Sequence, residues 1–165
     1  MSQEILLELI RGRGAHVDAS ACVTVSFDLA GRTPPGFPHS VWQLVFHMTY
    51  WMEYELARMG GKAPRYPEHA SESWPNAAPE SEERWRQAVT TFDGCLDRMS
   101  DLVQAGPQDL GRSVPPISGA YSEQAPTVEG VLWQTVVHNS YHLGQVAQVR
   151  RALGAWPPAQ GGDTW

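Results

Sequence analysis

The chain has 165 residues, of which 42% are hydrophobic, 18% charged and 10% aromatic. That length and composition suit one domain with a sizeable core and exclude wholesale disorder. Twelve Lys and Arg against eighteen Asp and Glu give a formal charge of −6, which argues against a nucleic-acid groove or a polybasic membrane surface. The first predicted helix runs from Ser2 to about Arg11. Ser2 is placed to cap it, Glu4 suits the positive end of the dipole, and Gly12 and Gly14 stop it. Residues 15–30 read two ways. Val17, Ala21, Val25 and Leu29 recur at helical spacing, whereas the stretch from Cys22 to Phe27 would pass as a strand. A helix is expected, because no second strand exists to pair with it. Gly31 to Pro38 is a Pro/Gly turn.

The next helix is better signed. Ser40 and Gln43 have the spacing of a capping box, which satisfies otherwise orphan backbone donors. Val41, Leu44, Val45, Met48, Met52 and Leu56 then make an apolar stripe that Gly60-Gly61 ends. Residues 60–79 form a Pro-rich connection. A third long helix carries Glu80, Glu82 and Glu83 at its start and a heptad-like seam of Trp85, Val89, Phe92, Leu96, Met99 and Val103. Gly106 to Pro126 is a second long connection, too rich in Gly, Pro and Ser to continue a helix. The last helix has Thr127 as its cap and runs to about Leu153, roughly 40 Å in length. Gly154 and Pro157-Pro158 terminate it, and residues 159–165 read as a loose tail. Four substantial helices and no credible sheet predict an all-α four-helix bundle with two long connections.

No apolar run approaches the ~20 residues that span a bilayer. Met1-Ser2-Gln3-Glu4 lacks the basic flank and apolar core of a signal peptide. Cys22 and Cys95 are isolated and read as small core residues. The expectation is a cytoplasmic protein without nucleic-acid or membrane partners.

Six histidines carry the chemistry worth weighing. His138 and His142 lie four residues apart in the last helix. That step turns a helix by about 40° and advances it about 6 Å, so both rings share one face. This is the spacing by which a helix chelates a transition metal. It also matches the two-His spacing of H-E-x-x-H proteases, but Asn139 replaces the Glu base that follows the first His. The stripe of Val131, Leu132, Thr135, His138, His142, Val146, Val149 and Leu153 points both rings inward. Two inward imidazoles cost desolvation, which a metal offsets; the competing reading is a structural pair of core histidines.

The second long helix supplies a third inward imidazole, His47, between Leu44, Met48 and Trp51. His39 lies eight residues earlier, about 12 Å along the axis and some 80° around, so the two cannot share one ion. His39 reads as a turn or cap residue, and His16 and His69 as surface residues of loops. Three neutral imidazoles leave a divalent ion its full charge and an open position, and Zn²⁺, Ni²⁺, Co²⁺ or Fe²⁺ would accept them. Such an ion lowers the pKa of bound water, polarises a carbonyl or holds a substrate thiolate. Glu55, two turns from His47, is the carboxylate at helical spacing to the trio, and no general base is assigned.

The run Val136-Val137-His138-Asn139-Ser140-Tyr141-His142-Leu143-Gly144-Gln145-Val146, continued by Arg150 to Pro158, resembles the closing segment of DinB-like proteins. Pro38 to Met48 resembles the second helix of the same family, which carries its first metal histidine. The resemblance covers about residues 1–158, taken as one domain. It implies a DinB/YfiT-like four-helix bundle with a divalent metal on His47, His138 and His142, often as a homodimer. Relatives include transferases of low-molecular-weight thiols, an isomerase that uses such a thiol, and proteins labelled metal-dependent hydrolases.

Three functions are therefore weighed. The first is a metal-dependent enzyme activating a low-molecular-weight thiol for attack on an electrophile. The second is metal-dependent hydrolysis by a bound hydroxide. The third is a non-catalytic metal-binding bundle. Around the motif, Gly144 reads as a close-packing position, Gln145 as a supporting polar group, and Arg150 and Arg151 as cations suited to a helix C-terminus. Tyr141 and Trp51 read as core aromatics, and Tyr66, Trp74 and Tyr121 as the roof of a pocket over the metal.

Overall fold

Ser40 and Gln43 form the expected reciprocal cap: the Gln43 amide donates to Ser40 Oγ (3.3 Å) and the Ser40 amide to Gln43 Oε1 (3.1 Å). In the computed structural model this cap opens one of seven α-helices among the described residues. The structure describes residues 3–76, 78–117, 126–159 and 161. The helices are α1 (Gln3–Ile10), α2 (Ala19–Val23), α3 (Phe27–Ala30), α4 (Val41–Met59), α5 (Glu82–Gln104), α6 (Pro107–Leu110) and α7 (Val128–Ala152). A single 3₁₀ turn, Ala70–Ser73, lies between α4 and α5. No strand occurs among the described residues; the sole β-type contact there is an isolated bridge between Ser113 and Thr127. The all-α bundle expected from the sequence is the fold observed.

Helix α4 is the centre of the bundle and packs against both α5 and α7, while α1 lies on α5 and α7. The α4 stripe supplies Val41, Leu44, Val45, Met48 and Met52 to the core, all almost fully buried. The α5 seam adds Trp85, Phe92, Leu96, Met99 and Val103 to the same core. Each of these side chains contributes about 1.5–3 kcal/mol when removed from water. Thr127 Oγ1 accepts from the Gly130 amide (3.1 Å) and starts α7 where its sequence predicts. Ser81 caps α5 through the Arg84 amide (3.1 Å), which leaves Glu82 and Glu83 in the first turn and Glu80 before the helix. The cap expected at Ser2 lies outside the described residues.

Residues 15–30 depart from the single helix expected. Asp18 caps α2 by accepting from the Ser20 and Ala21 amides (3.0 and 3.3 Å). The chain then runs without helix from Thr24 to Ser26 before α3. Trp85 Nε1 on α5 donates to the Val25 carbonyl (2.9 Å), taking an acceptor that a continuous helix would have used internally. The β-branched run Val23-Thr24-Val25 lowers the cost of that break.

The connection between α4 and α5 is tied back onto the first turn of α4. Trp42 Nε1 donates to the Asn76 carbonyl (3.0 Å) and Gln43 Nε2 to the Pro75 carbonyl (3.2 Å). Those two bonds hold the segment that carries Trp74 against the start of α4. The second connection contains the one-turn helix α6, with Pro107 in its first turn. Arg58 anchors that connection: buried at the end of α4, it donates through Nε and Nη2 to the Pro115 carbonyl (3.2 and 2.7 Å). No helix among the described residues is long and apolar enough to cross a membrane.

Arg150 lies in the last turn of α7, as read from the sequence, and does more there than face the helix dipole. Its guanidinium is buried and donates to the carbonyls of Ala21 (2.8 Å), Cys22 and Ala155 (3.0 Å), with Trp156 under it. It therefore pins α2 and the chain after α7 to α7 itself. Both cysteines are buried and free. Burial pushes the Cys22 thiol up to about 12, which leaves it inert.

Candidate metal centre

The 3.6-residue period of α7 and the packing of α4 against it bring His47, His138 and His142 together. One ring nitrogen from each lies within 4.8 Å of the others. Ring centroids are 5.3 Å apart for His47 and His138, 4.7 Å for His47 and His142, and 4.6 Å for His138 and His142. Tetrahedral zinc holds imidazole nitrogens at about 2.0–2.1 Å, which puts neighbouring nitrogens about 3.3 Å apart. His47 Nε2 and His138 Nε2 are already 3.3 Å apart. Among the described residues the cluster contains neither cysteine.

Hydrogen bonds behind two of the rings set which nitrogen faces inward. Ser73 Oγ gives its own proton to the Ala70 carbonyl (2.9 Å), so it accepts from His47 Nδ1 (3.1 Å). Gln145 Oε1 can only accept, so His142 Nδ1 donates to it (2.7 Å). Both rings then turn a bare Nε2 toward the centre, the tautomer that a metal ligand needs. Ser73 carries no motif signal in the Pro-rich connection, whereas Gln145 is visible as the polar residue at i+3 from His142.

Electrostatics favour the neutral forms. Burial, with the neighbouring His142 and His138 adding like-charge repulsion, pushes His47 down to about 4. Burial and His142 hold His138 at about 4 as well, and burial lowers His142. Three unprotonated imidazoles in one buried cluster make a donor set that fits a borderline divalent ion.

Trp74 forms the outer wall. Its ring stacks on His47 (centroids 4.0 Å, planes 11° apart) and meets His142 edge-on (6.2 Å, 77°). His39 stacks on the opposite face of the same indole (3.9 Å, 10°). His39 is thus neither a ligand nor a cap, and it completes an imidazole–indole–imidazole sandwich. Trp74 covers the His47 side of the cluster and does not line the cleft beside His138. Tyr66 instead packs on Trp51 and Tyr54 (5.7 and 6.0 Å), and Tyr121 lies outside the described residues.

Beside His138 a cleft of about 370 Å³ opens between α4 and α7, lined by Trp51, Glu55, Gln134, Thr135 and His138. Trp51 is therefore a cleft wall and not a core aromatic. Glu55 Oε2 accepts from Arg58 Nη1 (2.6 Å), while burial raises its carboxyl against the pull of that guanidinium.

Three other readings change and one holds. His16 is not a free surface residue: its Nδ1 donates to the Val17 carbonyl (2.8 Å) and its Nε2 accepts from Ser140 Oγ on α7 (3.1 Å). Tyr141 is 65% exposed, beside Val137 at 67%, so it is not part of the core. Gly144 is exposed, and a Cβ there would meet open space, so close packing does not require it. His69 is exposed in the first connection and is not among the clustered histidines, as its loop position implies.

A family model described as the DinB superfamily matches residues 20–146 of the chain. No curated protein and no solved structure matches it.

Proposed function

Since the chain belongs to the DinB superfamily, we propose that His47, His138 and His142 hold one divalent metal ion at which a low-molecular-weight thiol is activated. The observation that carries this reading is the convergence of three imidazoles with a cleft on one side and no fourth protein ligand among the described residues. A structural zinc site closes four protein ligands, commonly with Cys, whereas a catalytic one keeps a position open. When bound, the ion supplies Lewis acidity that favours the thiolate over the thiol at neutral pH.

The protein's own groups do the rest. Ser73 and Gln145 hold the His47 and His142 protons on Nδ1 and leave Nε2 bare. Trp74 shields that side of the cluster from water and fixes the His47 ring plane. Trp51 gives the cleft an apolar wall against which the thiol's carbon chain is desolvated. The reaction class that fits is transfer of the thiol sulfur to an electrophile.

The test is cobalt substitution. A small thiol such as 2-mercaptoethanol is expected to add a sulfur-to-cobalt band to the near-ultraviolet absorption of the Co²⁺ form. If cobalt fills the site and no added thiol changes the spectrum, thiol activation is the wrong mechanism. Hydrolysis of an ester or amide by the metal-loaded protein without thiol would then take its place.

A further inference from the structure

The cleft beside His138 has a charge of its own. Among its described lining residues, Glu55 alone carries a formal charge at neutral pH. Arg58 neutralises part of it, but from behind. The Arg58 side chain is 4% exposed against 16% for Glu55, and its N–H groups are directed to Glu55 Oε2 and the Pro115 carbonyl. Nothing positive therefore faces the cleft from that pair. Glu55 Oε1 is the carboxylate oxygen that Arg58 does not occupy.

Position along the helix sets what this oxygen can reach. Glu55 lies eight residues beyond His47, about 12 Å along the axis of α4. Glu55 and His138 line the same cleft, so the carboxylate faces the space that opens beside the histidines. It is too far to be a fourth ligand, and it faces the remote end of whatever enters the cleft. Trp51, one turn from each of His47 and Glu55, lines the path between them with an aromatic surface, which also suits a cation.

We propose that Glu55 is a specificity-determining residue that receives a protonated amine, so that the thiol taken at the histidine cluster is a small cationic aminothiol. This rests on the thiol reading given above. A carboxylate-bearing thiol would meet Glu55 with like charge, and an uncharged thiol would gain nothing from the carboxylate oxygen that Arg58 leaves free. Burial already strains the ionised form of Glu55, and an arriving ammonium relieves that strain.

The experiment measures the affinity of cysteamine, 2-mercaptoethanol and 3-mercaptopropionate for the Co²⁺ protein by absorption, in the natural chain and in Glu55→Gln. Each thiol is compared with itself across the two proteins, which cancels its own acidity. Cysteamine affinity is expected to fall about tenfold in E55Q, with 2-mercaptoethanol unchanged and 3-mercaptopropionate improved. A fall shared equally by cysteamine and 2-mercaptoethanol, or no fall, overturns the role of Glu55 while leaving thiol activation standing. If no thiol alters the cobalt spectrum of the natural chain, the thiol reading and this inference fail together. Should E55Q not hold cobalt, Glu55→Asp withdraws the charge by one methylene. The cysteamine preference then falls severalfold, and an unchanged preference overturns the proposal.

Discussion

His47 Nε2 and His138 Nε2 face each other at 3.3 Å across the α4–α7 interface. His47 has already given its Nδ1 proton to Ser73, so its Nε2 presents a lone pair. Two bare nitrogens at that distance repel, and a proton or a cation between them removes the repulsion. A proton on His138 Nε2 would do so. A metal ion takes its place once His138 carries its proton on Nδ1.

The first prediction follows from which histidines converge. His142→Ala removes one of three ligands and is expected to abolish stoichiometric zinc binding, whereas His69→Ala leaves it intact. Elemental analysis after reconstitution and dialysis checks this. Equal loss in both variants would mean that the cluster is not the binding site.

The groups behind the ligands should matter almost as much. Ser73→Ala and Gln145→Ala free the Nδ1 protons of His47 and His142, and each is expected to weaken zinc about 10–100-fold. Competition with a chromogenic chelator reads the change, with circular dichroism confirming an unchanged fold. Undiminished affinity in both variants would show that tautomer control is unimportant here.

Much of this was legible in the sequence, and the reasons differ by residue. The spacing of His138 and His142 is a property of one helix, so periodicity alone puts both rings on one face. Ser40 and Thr127 act through amides within three residues, and such caps are local. The break at Thr24–Ser26 is not local: the Val25 carbonyl is taken by Trp85, sixty residues away in the chain. Trp74 sits in a Pro-rich connection with no period to read, and its place against His47 depends on Trp42 and Gln43 tying that segment down. Arg150 reads only as a last-turn cation, because the α2 carbonyls that it binds lie far away in the chain.

pH dependence carries a definite sign. His47 and His138 titrate near 4 in the fold, against 6.5 for an ordinary histidine. Between those values the unfolded chain binds more protons than the folded one, so metal-free stability falls as pH drops from about 6.5 toward 4. Thermal melts of the metal-free protein at pH 7 and pH 5 are expected to show a lower midpoint at pH 5. The zinc form should lose more over the same interval, because protons also displace the metal. Equal metal-free midpoints would contradict the burial of neutral imidazoles.

Arg150 separates stability from site chemistry. Arg150→Ala strips the donor from the carbonyls of Ala21, Cys22 and Ala155, and leaving buried acceptors unpaired costs about 1–3 kcal/mol each. A destabilisation of about 3 kcal/mol in urea unfolding is expected, with zinc stoichiometry unchanged in the folded fraction. A variant as stable as the natural chain would remove the clamp from this account.

Zinc K-edge X-ray absorption of the reconstituted protein, before and after addition of cysteamine, tests the central claim most directly. The account predicts three imidazole nitrogens at about 2.0–2.1 Å with a light atom completing the shell, and one sulfur at about 2.3 Å once the thiol is added. A sulfur ligand already present without thiol, or a shell closed by four protein ligands and indifferent to thiol, would contradict it.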